Sequence, residues 1–172
     1  MQGAGFAREE VLRRLPAVEA LYTERLERTL DRERMRLLLG ARELVERLAA
    51  RPDLEVGLLT GNWERGARSK LARFGLNAHL PFGAFGGDGI DREDLPPVAW
   101  RRAAERCGTP FAPEATLIIG DSLQDIACAR AHGIPVLAVA TGFVDAAVLR
   151  EAEPDWLAAD LHEAARVVDW LR

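Results

Sequence analysis

Lysine is almost missing from this chain. Lys70 is the only one, and every other cationic side chain is arginine. Cysteine is nearly as scarce. Cys107 and Cys128 form no CxxC pair and no ligand cluster, which excludes a disulfide framework and a zinc site. Two reduced thiols in a cytoplasmic protein are expected instead. His79, His132 and His162 are scattered, with no HxxxH or HExxH spacing. No apolar run approaches the ~18 residues of a membrane span. The opening MQGAGFAREE lacks the hydrophobic stretch of a signal peptide. There is no basic excess either: the formal net charge is −4, which argues against general nucleic-acid binding.

What remains is an ordinary globular composition. The 172 residues are 48% hydrophobic and 29% charged, enough for one domain with a real core.

The hydrophobic period changes along the chain. Residues 7–30 read as one amphipathic helix, with Val11, Leu12, Leu15, Val18, Leu21, Leu26 and Leu30 at helical spacing. A second helix covers 40–50, on Leu44, Val45 and Leu48. Beyond Pro52-Asp53, strands and helices alternate. LEVGLLT (54–60), a short piece within 81–90, ATLIIGD (115–121), PVLAVATG (135–142) and 155–158 read as extended. Helices fill 63–74, 95–106, 123–132, 143–151 and 160–171, with Gly75 and Gly133 as stops. This alternation predicts an α/β domain with a largely parallel sheet. Ligands of such sheets sit outside the carboxyl ends of the strands. Thr60, the 86–92 loop, Asp121 and Thr141 all fall there.

Three of these ends carry chemistry. In LLTGN, Thr60, Gly61 and Asn62 offer a hydroxyl and backbone N–H groups ahead of a helix N-terminus, a seat for phosphate. GNWERGAR imitates a P-loop, but Ala67 and Arg68 stand where Lys and Ser or Thr are needed, so a P-loop NTPase is rejected. In LIIGDSLQDI, Asp121 and Asp125 follow a strand four residues apart. Spacing alone leaves two readings open: a Mg²⁺ site of one or two carboxylates with waters and phosphate, or a helix cap with a solvated neighbour. Between these, GGDGIDREDL holds Arg92 among four acids. Such a loop is commonly just solvated, yet its position makes Arg92 a candidate phosphate clamp.

LLTGN, Arg92 and GDSLQD, in that order, resemble motifs II, III and IV of the haloacid dehalogenase (HAD) superfamily, closest to its phosphoglycolate-phosphatase-like branch. The likeness covers about 37–160. It implies a Rossmann-like parallel sheet over 37–172, with residues 1–36 as part of a helical cap. It implies a Mg²⁺-dependent phosphomonoester hydrolase acting on a small phosphorylated metabolite. Thr60 would bind the transferring phosphoryl group with Gly61 and Asn62. Arg92 would neutralise it. Asp121 would hold Mg²⁺, and Asp125 would complete the metal site or order the clamp. Lys70, inside the helix after motif II, reads as a surface residue. Trp63 follows the phosphate seat and could touch substrate or cap; Trp100, Trp156 and Trp170 read as packing.

The resemblance also exposes a gap. The family's DxDxT, whose first Asp attacks phosphorus and whose second acts as acid and base, has no counterpart here. Asp31 lies in DRERMRL, inside or beside charged helix, and Asp53 precedes its strand. The expectation is that the chain starts inside the cap, with roughly 50 to 60 residues of an ordinary-size domain absent before Met1, and is inactive as written. The missing strand would lie between those of motifs II and IV, leaving them to pair with each other or to stand unpaired. An unpaired edge leaves association through the sheet open. The alternative is a non-catalytic phosphate- or metal-binding protein on a degenerate scaffold. A receiver domain fits poorly, because its lysine belongs at a late strand end and Lys70 lies mid-helix.

Overall fold

The computed structural model describes residues 7–30 and 35–170. Asp31 and the side chain of Trp170 lie outside the described residues.

Helix α1 (Arg8–Thr29) begins with Glu9 and Glu10 in its first turn and carries Arg28 in its last, both favourable to the helix dipole. Its inner face rests on α3 (Glu64–Ala72). Thr23 is buried there, and Leu26 packs over Gly66. Tyr22 meets Trp63 edge-on, with ring centroids 5.2 Å apart. Glu27 receives both Arg65 Nε and Nη2, at 2.9 and 2.7 Å, and the Ser69 hydroxyl at 3.0 Å. Leu12, Val18 and Leu21 of α1 remain exposed.

Among the described residues, five short strands form two parallel groups. β1 (Gly57–Leu59) pairs with β2 (Phe82–Ala84), and α3 is the crossover. β3 (Ile118–Gly120), β4 (Val136–Val139) and β5 (Trp156–Ala158) form the second group in that order. Four further helices connect or cover them: α4 (Leu95–Cys107), α5 (Leu123–Ala131), α6 (Ala146–Glu151) and α7 (Leu161–Trp170). Gly75 and Gly133 take left-handed φ of +70° and +64° where α3 and α5 stop, as the sequence predicts.

Every residue of β4 is buried, as expected for a parallel strand covered on both faces. Val136 and Ala138 face a cluster with Ile118, Ile126, Ala129 and Leu149. Leu137 and Val139 face another with Ala158, Ala164 and Val168, joined by Leu44 from α2 (Ala41–Ala49). Leu59 and Trp100 pack against the first cluster, so the two strand groups share a core.

Among the described residues, β1 pairs only with β2, and β3 only with β4. The two strands expected to flank a motif I strand therefore keep one partner each and do not pair with each other. The strands are shorter than the sequence pattern predicts: 54–56 and 116–117 lie outside the ladders, and Ala115, read as strand, ends a 3₁₀ turn (Pro113–Ala115).

Candidate active site

Thr60 follows β1 directly, and its N–H extends the ladder to Ala84 O at 3.0 Å. Its hydroxyl oxygen accepts from Asn62 N at 3.2 Å and from Asn62 Nδ2 at 2.9 Å. The turn is held from behind, where Gly86 N donates to Asn62 O at 2.9 Å. That approach needs glycine: a Cβ on Gly86 would stand 2.1 Å from Gly61 O. Trp63, at the N-cap of α3, supplies no side-chain cap, so the first-turn N–H groups of α3 stay available.

The structure corrects the reading of Lys70. It is half-buried, and its Nζ reaches back two turns to Asn62 Oδ1 at 2.6 Å. It is thus part of the LLTGN turn rather than a solvated surface group.

The acidic loop before α4 is a structured turn whose acids have separate tasks. Asp88 accepts from Phe85 N at 2.8 Å and takes Arg102 in a two-point ion pair at 2.6 and 2.8 Å. Burial pushes the Asp88 carboxyl up, but the Arg102 and Phe85 hydrogen bonds outweigh it and hold the group below the usual carboxylate range. Asp94 accepts from Asp91 N and Ile90 N, which lower its carboxyl in turn. Cys128 donates its thiol to Arg92 O at 3.3 Å.

So anchored, Arg92 turns inward. Its Nη2 donates to Asp125 Oδ1 at 2.5 Å and to Leu59 O at 3.3 Å. One guanidinium thus joins the unpaired side of β1 to the helix that follows β3. Its Nε is buried without a partner among the described residues.

Asp125 is the third residue of α5 and closes a capping box with Ser122. Ser122 N and Oγ both donate to Asp125 Oδ2, at 3.2 and 2.7 Å. Its carboxylate folds back against Gly120, where a Cβ would stand 2.2 Å from Asp125 Cγ. Both Asp125 oxygens are therefore engaged. Asp125 thus caps α5 with Ser122 and pairs with Arg92 at once.

Asp121 differs. It is exposed, accepts no hydrogen bond among the described residues, and lies against the bare backbone of Gly142. This free hard-oxygen donor fits Mg²⁺, which takes one or two carboxylates and completes its shell with water and phosphate. No group of three His, Cys, Asp or Glu side chains forms a cage among the described residues.

Arg92 thus links Leu59, the neighbour of Thr60 in the Thr60-Gly61-Asn62 turn, to Asp125, and Asp121 directly precedes the Ser122 cap of Asp125. Thr141 follows β4 on the same side. Sequence reading missed Lys70, Ser122 and the Leu59 carbonyl. Ser122 had a signal, the S-x-x-D spacing of a capping box. Trp100 packs as expected and gives its Nε1–H to Thr116 Oγ1 at 2.8 Å. Trp156 packs on the second core cluster, whereas Trp63 lies beside Gly87 and Tyr22 at the turn. No described helix is long and apolar enough to cross a membrane.

Known proteins resemble this chain in sequence and fold. A HAD-hydrolase-like family model matches residues 94–164. A phosphoglycolate phosphatase from Synechococcus elongatus is 29% identical over 125 residues, covering 72% of this chain and 55% of the relative. One from Rhodospirillum rubrum is 33% identical over 104 residues, covering 60% and 42%. The chain thus spans about half the length of these curated relatives. Among solved structures, a haloacid dehalogenase-like hydrolase from Streptococcus pneumoniae superposes with a TM-score of 0.68 at 18% identity, over 99% of this chain and 74% of that one. A hydrolase from Pseudomonas syringae gives 0.68 at 22%, over 98% and 76%. In sequence over part of its length and in its parallel α/β fold, the chain is similar to haloacid dehalogenase-like hydrolases.

Proposed function

We propose that this crevice is the phosphoryl- and metal-binding half of a Mg²⁺-dependent phosphomonoesterase acting on a small phosphorylated metabolite. The observation that carries the reading is the Arg92 guanidinium, which ties the LLTGN strand to the GDSLQD helix. Three motifs distant in sequence thereby meet at one point.

In this reading Thr60 donates its hydroxyl to a phosphoryl oxygen, with the N–H groups of the Gly61-Asn62 turn and the start of α3 behind it. Arg92 balances the charge of the bound phosphate, and Asp125 orients Arg92. Asp121 would hold Mg²⁺, which when bound shields phosphate charge and polarises its oxygens. The likeness to phosphoglycolate phosphatases makes phosphoglycolate the first substrate to try. Cytoplasmic location rests on the two free cysteines.

Turnover needs an attacking carboxylate, and no DxDxT occurs in the sequence. We place that group on a strand seated between β1 and β3. The chain alone should therefore bind phosphate but hydrolyse phosphomonoesters poorly. A p-nitrophenyl phosphate assay with Mg²⁺ tests this, comparing the chain with a version that carries an added N-terminal DxDxT strand. Strong turnover by the chain alone, abolished in Asp121→Asn, would sink the requirement for that strand.

The absence of DxDxT also favours a second reading, a phosphate- or metal-binding protein without turnover that associates through its unpaired strand edges. A stable dimer that binds phosphate, with no activity in the extended version, would select it.

A further inference from the structure

Lys70 reaches the phosphate seat through a relay with only one consistent arrangement of protons. An ammonium carries donors and no acceptor. Its 2.6 Å contact therefore fixes the Asn62 amide with Oδ1 toward Lys70. The amide nitrogen must then face Thr60, and it lies 2.9 Å from Thr60 Oγ1. Asn62 N approaches the same oxygen at 3.2 Å. With two N–H groups directed at it, Thr60 Oγ1 has both lone pairs occupied. Its own proton must point elsewhere, and among the described residues it meets no acceptor.

We propose that Lys70 is a positioning residue for oxyanion binding: by locking Asn62 it makes Thr60 an obligate donor toward a phosphoryl oxygen. The proposal rests on Thr60 being the phosphoryl seat. The ammonium charge also polarises the relay in the direction that strengthens donation to an anion. Arginine would not substitute freely. Its planar fork on a longer stem cannot place one compact charge on Asn62 Oδ1. In a chain whose other cations are all arginine, this position holds the one lysine.

Inorganic phosphate is the probe, titrated calorimetrically into the full chain and into Lys70→Met, Lys70→Arg and Thr60→Val. Lys70→Met should bind phosphate about ten-fold more weakly at an unchanged melting temperature, and Lys70→Arg should recover only part of the loss. The Asn62 side-chain amide gives a second readout that needs no phosphate. Its ¹⁵N–¹H pair should be shifted and held in the parent chain, and should move toward random-coil positions in Lys70→Met. Wild-type affinity in Lys70→Met, with binding lost in Thr60→Val, overturns the role of Lys70 and leaves the seat intact. Undiminished binding in Thr60→Val overturns the seat and the relay together. If Lys70→Met fails to fold, the parent amide decides: random-coil shifts in the folded parent refute the relay.

Discussion

Arg92 Nη2 and Asp125 Oδ1 stand 2.5 Å apart, an ion pair between the loop after β2 and the helix after β3, beside the Cys128 thiol bond to Arg92 O. The Asp125 side chain is 6% exposed and that of Arg92 27%. The acid is therefore the member that cannot fall back on water. Arg92→Ala should leave a buried carboxylate held by Ser122 alone and cost about 3 kcal/mol. Asp125→Asn keeps an acceptor for Ser122 and should cost less. Urea unfolding of both variants is the check, and equal losses would show that the pair is not what holds the junction.

Gly86 sets the position of the phosphate seat. A Cβ there would come within 2.1 Å of a backbone oxygen, which cannot swing aside as a flexible side chain can. Gly86→Ala should push Gly61 and Asn62 away and weaken phosphate binding by more than ten-fold, while changing stability by about 1–3 kcal/mol. Calorimetric titration beside thermal melting separates the two effects. Undiminished phosphate binding in a folded Gly86→Ala chain would show that the seat does not depend on this approach.

Acid should loosen α1 from α3. The hydrogen bonds from Arg65, then that from Ser69, hold the Glu27 carboxyl below its ordinary value of 4.5. A lowered folded-state value means that the link is intact above the unfolded value and is lost as pH falls through the lowered one. The indole N–H resonance of Trp63, whose ring meets Tyr22, should move as pH drops from 5 toward 3. In Glu27→Gln that step should vanish. An indole signal that stays fixed to pH 3 in the parent chain would contradict this linkage.

The two thiols should react very differently. Cys107 is exposed, whereas Cys128 is fully buried and burial pushes its thiol up. Brief iodoacetamide treatment of the native chain should label Cys107 alone, as read by peptide mass spectrometry. Labelling of Cys128 at a similar rate would mean that the Arg92 loop opens readily, since the Cys128 thiol bonds Arg92 O.

Helices, strand order along the chain and the parallel architecture were legible because period and punctuation agree over long segments. That Arg92 meets both the Thr60 strand and the helix of Asp125 follows from the same architecture, since residues after strand ends in a parallel sheet converge whatever their separation in sequence. Asp125 was harder. Four-residue spacing from Asp121 speaks equally for a metal pair and for a cap, and only the fold shows its two oxygens divided between Arg92 and Ser122. Lys70 was misread because helix position predicts which face a side chain leaves from, not how far its stem runs. Four methylenes let it return along α3 to the turn before the helix. The loop around Arg92 looked like solvated charge because composition cannot show that Asp88 and Asp94 are committed to backbone N–H groups.

In a parallel ladder, successive backbone groups look alternately to one neighbour and to the other. Among the described residues, β1 and β3 each have a partner on one side only. Deuterium uptake along these two strands should therefore be uneven from one residue to the next, slow where an amide faces β2 or β4 and fast where it faces away. Filling the space between them with a further strand would erase that alternation, so the exchange pattern itself records whether the sheet is complete.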